Sequence, residues 1–297
     1  MKTATTIDEQ ISKLKNRGMA ISDEAKAKEI LSDIGYYRLG FYWFPFEYGY
    51  PKKTRRKHGF IKGTRFEDAV CLYYFDNDLR NTLIPYLHRI EVSFRTSVIY
   101  IVSNHYRHNP TWFADPKVVE PGFIKDLPNF YKDIRKNEAV KRHHLKYIND
   151  IYAPAWKTLE YMTFGNMLYL FENLKDDSLK ESVRAKFNVL SLDAFLSQMK
   201  TIRTIRNVCA HGHNLFDLKF HTPIKVGGLK GLDARQRSTI SGGLIVIASI
   251  LKSISENRSN DLISQINNLL TKKDFVTIQP VIRHISMVPA KLPPDRK

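Results

Sequence analysis

An all-α helical bundle is the fold this sequence predicts, on three observations. Apolar residues recur every three or four positions over long stretches, as on one face of a helix. Ser and Asp stand where several of these stretches begin, where a side-chain oxygen can satisfy an orphan N–H. No two segments form a convincing strand pair, and there is no internal repeat. With 297 residues, 43% hydrophobic and 12% aromatic, the chain can bury a full core, as one large domain or two intimate lobes.

Ile7, Ile11 and Leu14 share a face with charges between them, so a short amphipathic helix opens the chain over residues 7–16. Ser22 is expected to cap a second helix. Asp23 and Glu24 fall in its first turn, where the helix dipole favours negative charge, and Gly35 stops it after Ile34. The run from Gly35 to Phe46 is unusually aromatic and contains Arg38. Aromatic rings beside cations can stack on bases, but their burial energy makes core packing the stronger reading. Between Pro51 and Arg65 lie Lys52, Lys53, Arg55, Arg56, Lys57, Lys62 and Arg65 with no acidic residue, beside Gly59 and Gly63. This predicts a mobile basic loop, either merely solvated or in contact with phosphates.

From Phe66 to Tyr106 the apolar positions Leu72, Phe75, Leu79, Leu83, Leu87, Ile90, Phe94, Val98 and Ile101 demand one long helix, with Pro85 as the place where it would kink. A polar stripe runs along it through Arg80, His88, Glu91 and Arg95. Glu91 and Arg95 are an i, i+4 pair, readable as an ordinary surface ion pair or as part of a site. Pro110, Pro116, Pro121 and Pro128 divide the next segment into loops and a short helix. Residues 132–146 form a second basic stretch with Arg135, Lys141, Arg142, His143 and His144, diluted by Asp133 and Glu138, as on a solvated helix face. After Pro154 two helical pieces meet at Thr163-Phe164-Gly165. Ser191 then caps a helix that turns Phe195, Leu196, Met199, Ile202 and Ile205 to the core. A helix pair over 240–256 and 261–270 closes the bundle, and Pro280, Pro289, Pro293 and Pro294 predict an extended tail over 271–297. The division expected is therefore an N-terminal helical region with a basic loop (1–65), a helical core (66–270) and the tail.

Lys and Arg outnumber Asp and Glu by 47 to 30, and a formal charge of +17 calls for a polyanionic partner, nucleic acid first and an anionic membrane second. Residues 1–16 carry acidic groups and no apolar core, unlike a signal peptide. The longest apolar run, Ile240 to Leu251, is too short to span a bilayer and reads as a buried helix. Two cysteines, Cys71 and Cys209, exclude a disulfide framework and a four-cysteine zinc site. A reducing cytoplasm, RNA as partner, no membrane and no metal or other cofactor are expected. Lys52, Lys53, Arg55, Arg56, Lys57, Arg38, Lys141 and Arg142 are the candidate RNA contacts.

The last turns of the Ser191 helix concentrate polar groups. Arg203, Asn207 and His211 share a face, Arg206 flanks it, and His213 follows Gly212, which could cap the helix or loosen its end. Cleaving RNA without a metal needs a group to take the 2′-hydroxyl proton, a group to protonate the leaving 5′-oxygen and a cation for the phosphorane's charge. Histidine suits the first two and a guanidinium the third. One Arg and one His per chain supply half of a symmetric site, which a two-fold dimer completes. From spacing alone, a histidine capping its own helix beside a structural ion pair explains the same residues.

The run Thr204-Ile205-Arg206-Asn207-Val208-Cys209-Ala210-His211 resembles the signature of the HEPN superfamily as found in Abi-like (abortive-infection) proteins of the AbiD/AbiF type. Three further segments agree in order: 8–11 with Gly35-Tyr36-Tyr37-Arg38-Leu39, 75–80 with 89–95, and 163–165 with 170–174, together spanning about residues 5–220. The resemblance implies a HEPN-type helical bundle and a dimeric, metal-independent endoribonuclease that serves in phage defence or as a toxin. A structured non-coding RNA or a protein antitoxin would control it. By the same resemblance Arg206 stabilises the phosphate, His211 is the acid/base group and Asn207 fixes the pair. Arg203, His213, Glu91 and Arg95 are accessory. Where many relatives carry a second histidine and a basic residue after the motif, this chain has Gly212 and Asn214.

Overall fold

The computed structural model describes residues 3–52, 54, 58–229 and 232–286. It is all-α. The described residues hold thirteen α-helices and five 3-10 helices joined by turns and loops, and the only β pairing among them is four isolated bridges.

Helix α1 (Ile7–Asn16) opens with a capping box between Thr6 and Glu9, which satisfies two N–H groups reciprocally. In α2 (Glu24–Asp33) the N-cap is Asp23 and not Ser22. The Asp23 carboxylate accepts from Lys26 N–H, while the Ser22 hydroxyl turns to Glu67 at the start of the next long helix. Helix α3 (Tyr36–Trp43) follows directly, and most of the aromatic run is core, with Tyr42, Trp43 and Phe44 buried. The expectation of a mobile loop fails from Gly59 to Arg65. This stretch is laced into the N-terminal helices by Tyr48 N–H to Gly59 O, Phe60 N–H to Arg17 O and Ala20 N–H to Thr64 O. Phe60 is buried among Ile11, Leu14, Leu31, Leu39 and Trp43 in a small core of its own.

Helix α4 (Phe66–His105) runs unbroken for 40 residues through Pro85 and is the axis of the molecule. Its face Leu72, Phe75, Leu79, Leu83, Leu87, Ile90, Phe94 and Val98 is buried in the main core. Each such side chain stabilises the fold by about 1.5–3 kcal/mol. Around it lie α5 (Pro121–Ile134), α6 (Glu138–Lys146), α7 (Ala155–Thr158), α8 (Phe164–Glu172), α9 (Asp177–Ala185), α10 (Leu192–Ala210), α11 (Ile240–Ile254) and α12 (Glu256–Thr271). Helices α3, α8, α9, α10, α11 and α12 all pack on α4. Thr163 is the N-cap of α8, so the Thr163-Phe164-Gly165 joint is a helix start, and the sequence reading had no counterpart to α9.

The C-terminal expectation is overturned where the structure describes it. Residues Lys273–Ile278 form a 3-10 helix and Gln279–Ile285 form α13, with Phe275, Ile278, Ile282 and Ile285 buried in the main core. Pro280 sits in the first turn of α13, where a proline costs no hydrogen bond, so it marks a helix start. The other three prolines of the tail lie outside the described residues.

Candidate functional site

Helix α10 carries the motif to the edge of the bundle. Ser191 caps it by accepting from Ala194 N–H, and Phe195, Met199, Ile202, Ile205 and Cys209 hold it against the core. Its C-terminus closes as a Schellman turn. Gly212 takes φ +65°, His213 N–H reaches back to Val208 O at 3.0 Å, and Gly212 N–H to Cys209 O at 3.3 Å. His211 is the C-cap, and its ring and that of His213 are both exposed, 6.0 Å apart between centroids.

The structure brings Arg206, Asn207, Glu91 and Arg95 together in one relay. Arg206 Nη1 donates to Asn207 Oδ1 at 3.2 Å, and Arg206 Nε stands 3.3 Å from Glu91 Oε2 as an ion pair without hydrogen-bond alignment. The other Glu91 oxygen accepts from Arg95 Nη2 at 2.8 Å, and that nitrogen also donates to Met162 O at 3.0 Å. Glu91 and Arg95 are only 5% and 8% exposed, so the surface-pair reading of their i, i+4 spacing is overturned. Their helix face is covered by α10 and by the turn before α8. Arg203 is carried elsewhere: its side-chain stem lies across Gly165 in the first turn of α8, where an added Cβ would stand 3.7 Å from Arg203 Cδ.

A second cluster, missed in the sequence, holds the turn after the motif. Asp76 of α4 accepts from Leu215 N–H at 3.0 Å, from Phe216 N–H at 2.6 Å and from the Tyr42 hydroxyl at 2.9 Å, and Arg80 Nε stands 3.3 Å from its Oδ2. Burial pushes the Asp76 carboxyl up to about 6, against the pull of the Leu215 N–H, Arg80 and Tyr42. Burial and the neighbouring carboxylate likewise raise Tyr42, and burial raises the Cys209 thiol to about 12, which leaves it an inert core group. Arg38, from α3, donates to Gly212 O at 3.0 Å. Two cationic side chains, Arg38 from α3 and Arg80 from α4, thus meet at the Gly212 turn, while Arg206 is held further back along α10 by Asn207 and Glu91. The clue in the sequence was an aspartate flanked by core positions Phe75 and Leu79, four residues before an arginine.

Of the other candidate RNA contacts, Lys52 is exposed. Lys141 and Arg142 are exposed on α6, which packs on α7, with Arg142 3.6 Å from Glu138. Lys53, Arg55, Arg56 and Lys57 lie outside the described residues. Among the described residues no three His, Cys, Asp or Glu side chains are grouped to hold a metal ion, and no helix is long and apolar enough to cross a membrane.

Chemically, α10 carries an anchored guanidinium in its last turns and two exposed imidazoles at its end, group types that bind phosphate and move protons respectively. No curated protein and no solved structure matches the chain. The profile of the Abi-like protein family matches residues 29–217, more than half of the chain and all of the site just described up to Asp217, and the chain belongs to that family.

Proposed function

We propose that this protein is a HEPN-type endoribonuclease of abortive infection, acting in the cytoplasm as a homodimer. Membership of the Abi-like family suggests a role in abortive infection. The observation that carries the ribonuclease reading is the end of α10, where Arg206 is tethered to buried Glu91 while His211 stays exposed one turn further on. A tethered guanidinium can meet the charge that builds on a phosphorane without reorganising, and an exposed histidine can exchange protons with the 2′- and 5′-oxygens. Asn207 orients Arg206. A second copy, related by a two-fold axis, would supply the other acid/base group, and a structured non-coding RNA or an antitoxin would keep the pair silent.

The Arg206–Glu91 pair also favours a second reading, in which the motif is structural and the protein is an RNA-binding scaffold without cleavage. Cleavage of labelled total RNA in EDTA by wild type, Arg206→Ala and His211→Ala separates the two. The nuclease reading expects 2′,3′-cyclic phosphate ends from wild type alone. Three equally inert proteins that retain a bound RNA would give the scaffold reading the lead.

A further inference from the structure

We infer that Tyr37 and Phe41 form a base-stacking platform beside the motif, and that the RNA handled there is single-stranded. The inference rests on the reading of the α10 terminus as an RNA site.

Helix α3 has two unlike faces. Leu39, Tyr42 and Trp43 are buried, and the Tyr42 hydroxyl reaches Asp76, which holds the turn after the motif. Next around the helix comes Arg38, bound to the carbonyl of Gly212 between the two exposed histidines. Beyond it, at the next positions on the helical wheel, come Phe41 and Tyr37. Within an aromatic run whose other rings are buried or partly buried against the core, these two stand out, Tyr37 84% and Phe41 43% exposed. They touch each other edge to face with centroids 5.4 Å apart and planes at 83°, an arrangement that leaves ring face open to solvent.

An exposed aromatic pair next to a cation that touches the motif turn fits an unpaired base. Stacking needs only a π-face, and the neighbouring Arg38, in a chain of charge +17, supplies the attraction for the backbone. A base within a duplex has both faces covered by its neighbours, so the platform selects strands whose bases are splayed out.

The test is RNA affinity measured in the His211→Ala background, which removes the proposed acid/base group. The probes are a short labelled single strand of mixed sequence and the same strand annealed to its complement. Replacing both rings (Tyr37→Ala with Phe41→Ala) is expected to weaken single-strand binding roughly 5- to 100-fold. Duplex binding should stay unchanged, and Tyr37→Phe should bind as the parent does. Equal loss for both probes, or no loss for either, overturns the platform. So does a double variant that binds RNA normally but shifts from dimer to monomer in light scattering, which would make the pair a protein contact. If wild type cuts no RNA while single-strand binding still depends on the rings, the nuclease reading fails and the platform stands. If wild type cuts RNA and the rings are dispensable for binding, the reverse holds.

Discussion

The Glu91 carboxylate on α4 stands 3.3 Å from the Arg206 guanidinium on α10 and at the same time binds Arg95 at 2.8 Å. The position of the motif arginine is therefore set by the long central helix as well as by its own. Among the described residues Arg95 pairs with no second carboxylate, and its other hydrogen bond goes to the carbonyl of Met162.

Glu91→Ala should consequently act on stability first. It leaves Arg95 buried without its counter-charge, a loss of about 3–5 kcal/mol in a urea unfolding titration. Adding Arg95→Met should recover much of that loss, because an apolar side chain of similar length needs no partner. If the double variant is no more stable than Glu91→Ala, the burial of Arg95 is not what Glu91 compensates.

Asp76 gives a pH dependence whose sign follows from its burial. Its carboxyl is pushed up to about 6 in the folded protein, whereas an unfolded aspartate titrates near 4. The folded value is the higher, so the stability this group contributes is full below about pH 4 and is lost as pH rises through about 6. Asp76→Asn cannot titrate. The stability of wild type relative to Asp76→Asn should fall across that window by at most about 1.4 kcal/mol per pH unit, then level off. Unfolding titrations of both proteins across the window read it, and a difference that grows with pH would refute the assignment.

These two carboxylates also show what the sequence could and could not reveal. Helix α4 was legible because its apolar period persists for some ten turns, and α10 because Ser191 announces its start. Glu91 was visible through its i, i+4 relation to Arg95, but its burial depends on α10, which is remote in sequence. Asp76 binds backbone N–H groups 139 and 140 residues away, and no local pattern encodes such a pairing. In the aromatic run Arg38 is the only charged position, so period gave little contrast between buried Tyr42 and exposed Tyr37. Pro280 misled for a different reason: a proline in a first helical turn and a proline in an extended tail look alike until the buried Ile282 and Ile285 are placed.

The turn at Gly212 couples α3 to the motif, and a double-mutant cycle can measure it. An alanine there must adopt φ +65°, and its Cβ would stand 3.4 Å from Arg80 Nη1 and 3.6 Å from Arg38 Nη1. Gly212→Ala should cost about 1–2 kcal/mol through the left-handed backbone. Arg38→Ala should cost about 1 kcal/mol through the lost hydrogen bond to Gly212 O. Because both changes disturb the same contact, the double variant should lose less than the sum. Strict additivity would mean that Arg38 and the turn are independent.

Phe275 tests whether the C-terminal segment belongs to the core. Its ring is buried edge to face against Phe75 of α4, 5.5 Å between centroids, and the Cys71 thiol donates to the adjacent Asp274 carbonyl. Its neighbour Val276 is 61% exposed. Phe275→Ala should cost about 3–5 kcal/mol, the loss expected when a buried aromatic leaves a cavity that its neighbours cannot refill. Val276→Ala should change stability by less than about 0.5 kcal/mol, as for an ordinary surface position. A segment merely lying along the surface would make the two substitutions indistinguishable, and the extended tail read from its prolines would then be the better description.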